Sequence, residues 1–226
     1  MAKNIKNQKV EKIESVGEAV SKTELFFKKY GKTLGYTGFG LIVIAAVIMA
    51  VIQFYSRPLK QEAIDQMFTA EQYFRAGDYE KALLGDGNAL GFAQIIKDYG
   101  SMAGQAVYLY AGICELQNGN AEKALSYLEK YKGKENVLKA RSIACMGDAW
   151  SMLEDYGKAV DAYVKAAQVE DNIMAATYYF KAGILCEETG NTADALKYYR
   201  IIKEEYPDTF EGFEIDKYIS RIEIAE

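Results

Sequence analysis

Hydrophobic and polar positions change character along the chain. Thr33 to Ser56 is a run of 24 residues without one charged side chain, built around Leu41-Ile42-Val43-Ile44-Ala45-Ala46-Val47-Ile48. As a helix this run extends about 36 Å, against about 30 Å of bilayer hydrocarbon, so it is long enough to cross a membrane once. Tyr36 and Phe39 near one end, and Phe54 and Tyr55 near the other, lie where amphipathic rings prefer the interface, and Lys28, Lys29, Lys32, Arg57 and Lys60 bracket the span. A cleaved signal peptide is the competing reading. The long charged head and the lack of a small-x-small cleavage site favour a retained anchor.

Beyond residue 57 the pattern becomes amphipathic with a helical period, and small and large residues recur together. Ile143 to Trp150, then Tyr156-Gly157-Lys158-Ala159, then Tyr163-Val164-Lys165-Ala166 carry the offsets of a helix-turn-helix pair. A second copy reads Tyr179, Gly183, Gly190, Ala195, Tyr199 and Pro207, and an earlier one Tyr108, Gly112, Gly119, Ala124 and Leu128. Gly112, Gly147 and Gly183 are therefore spaced by 35 and 36 residues. This arrangement resembles the tetratricopeptide repeat, whose period is about 34 residues. Ala70, Tyr73, Gly77, Tyr79 and Ala82 make a partial further copy, interrupted in its second helix by the glycine-rich segment 85–91. The glycines and alanines mark places where two helices approach too closely for a larger side chain, with Trp150, Tyr163 and Tyr199 filling the space around them. The run Phe213, Ile215, Ile219 and Ile222 predicts an amphipathic helix capping the last repeat.

The expected fold is all-α: a single transmembrane helix, then a solenoid of about three to four helix pairs with a C-terminal cap. The expected divisions are a basic head at 1–32, the membrane helix at 33–56 and the repeat domain at 57–226.

Charge sharpens this layout. Residues 1–34 hold eight lysines against four glutamates, whereas residues 57–226 hold 19 basic against 28 acidic side chains. The basic head is expected to stay in the cytoplasm, with the repeat domain on the far side of the membrane. An acidic domain has no broad basic face with which to neutralise phosphates, which argues against nucleic acid. The chain has no histidine, removing the commonest general base and metal ligand. Cys114, Cys145 and Cys186 form no CxxC and read as small core residues. Asp86 and Asn88 have the look of a calcium-loop fragment without the spacing or the closing glutamate, so they read as turn residues. No catalytic constellation, cofactor or metal site is expected.

In a solenoid of this kind the concave face is the usual place to hold a partner. By offset the first helices would line it with Leu109, Ile113 and Leu116 in the second copy, Arg141 and Asp148 in the third, and Phe180, Ile184 and Glu187 in the fourth. Such a groove suits an extended segment or a helix with apolar anchors and a few charges. The alternative is that the segment from Gly85 to Gly100 folds back and fills the groove at Leu109 and Ile113. At the membrane, Phe26, Phe27, Lys28, Lys29 and Lys32 are candidate interface residues, at the end of an expected interfacial helix from about Ser15 to Tyr30 whose lysines would meet anionic headgroups.

Glu18-Ala19-Val20, the junction Phe26-Phe27-Lys28-Lys29-Tyr30-Gly31-Lys32, a glycine-containing membrane helix and an acidic array of degenerate repeats together resemble the YfgM-like ancillary subunits of the bacterial SecYEG translocon. The Gly85-Asp86-Gly87 insertion with Gly91-Phe92 is similar to Bacteroidota versions of that family, which keep a longer first repeat. The resemblance implies an inner-membrane protein with a cytoplasmic N-terminus and a periplasmic repeat domain. Its implied partners are the translocon, a PpiD-like periplasmic chaperone and nascent exported polypeptide. A cell-envelope adaptor that organises an outer-membrane or secretion assembly without the translocon is the alternative.

Overall fold

The computed structural model describes residues 28–33, 35–169 and 172–225. The chain divides between Pro58 and Leu59 into two compact units. In the first, residues 35–51 form α1 and lead into a π-helical turn, Ile52–Ser56. There the Arg57 N–H donates to the Ile52 carbonyl, five residues back. The wider turn sits just before Pro58, which has no N–H to offer the Phe54 carbonyl. The helix bounded by Lys28 and Arg75 includes an 18-residue window of mean hydropathy 2.3, none of it buried. By length and composition this helix can cross a membrane.

The described residues of the second unit contain no β-strand, only an isolated bridge between Gly85 and Leu90. Its helices come in pairs: α2 (Arg57–Arg75), which begins two residues before the division, with α3 (Tyr79–Leu84), α5 (Ala106–Gln117) with α6 (Ala121–Leu128), α7 (Asn136–Met152) with α8 (Tyr156–Val169), and α9 (Ile173–Glu188) with α10 (Thr192–Glu205). The extra helix α4 (Phe92–Tyr99) stands between the first two pairs, and α11 (Phe210–Ala225) closes the array.

One turn recurs within all four pairs. The backbone N–H of Asp78, Asn120, Asp155 and Asn191 reaches back to the carbonyl of Tyr73, Glu115, Trp150 and Cys186, respectively, at 2.8–3.0 Å. This is the reverse bond that ends a helix when the residue before it turns left-handed. That residue is Gly77, Gly119 and Gly190, with φ of +78° to +80°, but Glu154 in the third pair, at φ +59°. The same Asx residues then begin the next helix, and Asp78, Asp155 and Asn191 accept a capping bond from Lys81, Lys158 and Asp194 N–H.

The pairs close on the predicted small sites. A Cβ on Gly112 would lie 2.6 Å from Leu128 Cγ, one on Gly147 2.7 Å from Tyr163 Cε1, and one on Gly183 2.4 Å from Tyr199 Cε1. In each case the opposing side chain is 16 residues further on, so the contact repeats with the fold. The first pair lacks it: Ala70 holds the small position, and α3 ends at Leu84.

The interruption is itself a built turn. Asp86 Oδ1 accepts the N–H groups of Asn88 and Ala89 at 2.9 and 2.8 Å, and its other oxygen accepts the Tyr73 hydroxyl at 2.8 Å. These donors hold its carboxyl below the usual carboxylate range. Phe92 and Ile95 of α4 then join the core with Ala63, Met67, Val107 and Ala111. Cys114, Cys145 and Cys186 are buried free thiols, and burial pushes them up to about 12, 11 and 11, respectively.

Candidate partner-binding surface

The three apolar groove positions of the second pair lie in the core. Leu109, Ile113 and Leu116 are 1%, 7% and 9% exposed and cluster with Leu125 and Leu128 of α6 and Cys145 and Ala149 of α7. They have no surface to offer a partner in this fold. Nor does the 85–100 segment fill a groove at Leu109 and Ile113: its Phe92 and Ile95 join the cluster of Val107, Ala111 and Cys114 instead. The reason is that α5 carries apolar residues around most of its circumference, so it packs on both sides at once.

The remaining positions are accessible. Arg141 is exposed, and Asp148, Phe180, Ile184 and Glu187 are half-buried. Phe180 and Ile184 share a shallow pocket of 300 Å³ with Ser151, Lys181 and Glu188, and Tyr163 and Leu185 form its floor. Phe180 is fixed from behind by Tyr218, edge-on at 4.9 Å, and by Tyr199 at 6.1 Å. A clamped aromatic ring loses little freedom when a ligand covers it.

Charges around the pocket are arranged in two matching units. Asp148 Oδ1 accepts the Tyr163 hydroxyl at 2.8 Å and the Lys181 ammonium at 2.6 Å. Glu187 Oε2 accepts the Tyr199 hydroxyl at 2.9 Å and the Arg221 guanidinium at 2.8 Å. In each unit a first-helix carboxylate orients the buried tyrosine that covers a glycine and meets a cation about one repeat later. Burial, with the carboxylate close by, pushes both tyrosine hydroxyls far above the usual phenol range. Both ion pairs are partly exposed and contribute less than about 1 kcal/mol each to stability, so their main effect is to fix the shape and polarity of the surface.

Lys181 and Arg221 were not among the expected site residues, although the signal was present: each lies 33 or 34 residues after its carboxylate. Phe26 and Phe27 fall outside the described residues, as does most of the segment from Ser15 to Tyr30. Lys28, Lys29 and Lys32 are exposed, and Lys29 Nζ stands 5.3 Å from the Tyr30 ring centre. Among the described residues, no three of the side chains His, Cys, Asp or Glu gather as a metal site would require.

A family model described as tetratricopeptide repeat matches residues 175–209, which run through most of α9, all of α10 and the turn after it. No curated protein and no solved structure matches the chain. Five residues of the pocket, from Phe180 to Glu188, lie on the helix pair that is similar to this protein-interaction repeat, while Ser151 and Tyr163 come from the pair before it.

Proposed function

We propose that the protein is a non-enzymatic, membrane-anchored scaffold whose repeat unit holds a chaperone or a newly translocated polypeptide beside the SecYEG translocon. The observation that carries this reading is the Phe180–Ile184 pocket: a clamped apolar site with Lys181 and Glu188 at its edge, on a recognised interaction repeat. It fits one apolar side chain of an extended segment, with a positive and a negative group available to the flanking backbone or side chains. Arg141, Asp148 and Glu187 extend the polar surface.

The cellular setting is supported by sequence. The helix bounded by Lys28 and Arg75 is apolar and unburied across its hydrophobic window. The excess of lysine before it and of acid after it favours a cytoplasmic head at 1–32, a membrane helix at 33–56 and a periplasmic repeat domain at 57–226. The Phe26 to Lys32 junction supports the YfgM-like assignment, and with it the translocon and a PpiD-like chaperone as neighbours. Anchoring confines the domain near its partners, so modest affinity at the pocket suffices.

The test is affinity purification of the tagged full chain from mildly solubilised membranes, followed by mass spectrometry. Enrichment of translocon subunits together with a periplasmic chaperone supports the reading. Recovery of an outer-membrane or peptidoglycan assembly without them replaces it with the envelope-adaptor reading.

A further inference from the structure

The loop between α6 and α7 brings basic charge to one edge of an otherwise acidic domain: residues 129–139 hold four lysines against two glutamates. Lys132 and Lys134 line an open pocket of 430 Å³ with Gly104, Gln105 and Ala106, which lead into α5, and with Glu135 and Leu138 at the start of α7. Two helices therefore begin at one pocket. Neither start is closed by a side chain, since Gln105 and Glu135 stand at the cap positions and accept no bond from their own helices. Gln105 instead accepts the Lys132 N–H at 2.7 Å, which ties the loop to α5. The first N–H groups of a helix have no partner inside it and carry the positive end of its dipole. Lys132 donates to the Glu129 carbonyl at 2.9 Å, and Lys134 is exposed, so ammonium protons remain for the pocket.

Tyr131 supplies an independent sign. It is 8% exposed, and its hydroxyl is buried without a hydrogen-bond partner among the described residues. The hydroxyl ends at the pocket wall: a Cβ on Gly133 would collide with it. Gly133 has no left-handed backbone to call for glycine, so the residue is set by this space. An unpaired buried hydroxyl counts against folding unless something arrives to accept from it. Burial, with Glu135 close by, pushes the hydroxyl above the usual phenol range, so it stays a donor.

We propose that this pocket binds a phosphate group, its oxygens taken by the first N–H groups of α5 and α7, the Lys132 and Lys134 ammonium groups and the Tyr131 hydroxyl. Every group offered is a donor except the Glu135 carboxylate, which is exposed and has water to turn to. The donors come from two helices, a loop and a ring, which suits a tetrahedral anion better than a flat carboxylate. The hydroxyl is reached when Lys132-Gly133-Lys134, which belongs to no helix, turns outward, a movement that glycine permits. Two lysines suffice for one phosphate, whereas a nucleic acid needs a row of them. A soluble phosphate and a phospholipid headgroup present the same chemistry. The site shares no lining residue with the Phe180–Ile184 pocket, and the inference does not rest on the translocon reading.

The test is titration calorimetry on the full chain in a maltoside detergent, which carries no phosphate. Inorganic phosphate is compared with chloride at matched ionic strength, because salt alone screens the lysines. Phosphate is expected to bind where chloride does not, and about tenfold more weakly in Lys134→Gln and, separately, in Tyr131→Phe. Without phosphate, Tyr131→Phe should melt no lower than the parent, since it deletes an unpaired hydroxyl; a purely structural hydroxyl would leave phosphate affinity untouched. Dihexanoyl phosphatidylglycerol, scored as the heat lost in Lys134→Gln, distinguishes the sources. Binding roughly tenfold tighter than that of inorganic phosphate assigns the site to a lipid headgroup, and equal or weaker binding assigns it to a soluble phosphate. The proposal is overturned if neither compound gives heat beyond chloride, or if phosphate affinity is unchanged in Lys134→Gln or in Tyr131→Phe. A lower melting temperature of Tyr131→Phe without phosphate also overturns it.

Discussion

At Gly183 the fold turns on one missing methyl group. The Tyr199 ring is fully buried, and its hydroxyl is tied to Glu187, so it cannot swing aside to admit a Cβ 2.4 Å from Cε1. Gly183→Ala should therefore destabilise the repeat unit by about 1–3 kcal/mol through overpacking, despite the higher helix propensity of alanine; denaturant unfolding measures it. Glu154 presents the opposite case, a side chain in the left-handed position that its three counterparts give to glycine. Glu154→Gly should stabilise by about 0.5–1 kcal/mol, the relieved strain exceeding the added unfolded-state entropy. Ile113 is a third kind of position. Read by offset alone it would line a groove, and a charge there would abolish binding without unfolding. Buried as it is, Ile113→Glu should cost at least about 3 kcal/mol, seen as a collapse in melting temperature. Offset gives the angle of a residue about its helix axis, but what covers that angle depends on neighbours that an offset does not encode.

Among the elements, the helix pairs were legible because each is punctuated by the same chemistry. A left-handed residue, glycine in three pairs and Glu154 in the other, ends the first helix, an Asx residue begins the second, and a small residue seven positions before the left-handed one marks the close approach. The interruption at 85–91 was legible as a break but not as a turn organised by Asp86, since its Tyr73 donor lies 13 residues away on another helix. The cap was only half legible. Ile215, Ile219 and Ile222 are buried as the amphipathic pattern predicts, whereas Phe213 points outward, because one helix can carry two apolar stripes and periodicity does not say which one the array takes. The capping carboxylates make a prediction at this scale. Lys81 holds Asp78, and Lys158 holds Asp155, below the usual carboxylate range through side-chain and backbone hydrogen bonds. A depressed folded value gives stability that is present above the unfolded range, about pH 4, and is lost as pH falls through the folded value. Melting temperature should decline with acidification below about pH 4, and Asp78→Asn with Asp155→Asn should flatten that decline.

For the molecule as a whole, the layout of one apolar helix followed by helical repeats could be read from the chain because the two parts obey different solvents: an uncharged run matched to hydrocarbon, and a periodic one that buries a stripe against its neighbours. The binding surface was less accessible to such reading. Phe180 and Ile184 do share a pocket, but their setting comes from Tyr199 and Tyr218, which α10 and α11 bring to them. The central claim is that this pocket holds a translocon-associated polypeptide. It is tested most directly by a photo-crosslinking residue placed at Ser151, on the pocket's rim, in the full chain in native membranes. The account predicts adducts with a periplasmic chaperone, exported polypeptide or translocon subunits that disappear when Ile184→Asp is added to an intact fold. Adducts confined to proteins outside the export pathway, or unaffected by Ile184→Asp, would contradict it.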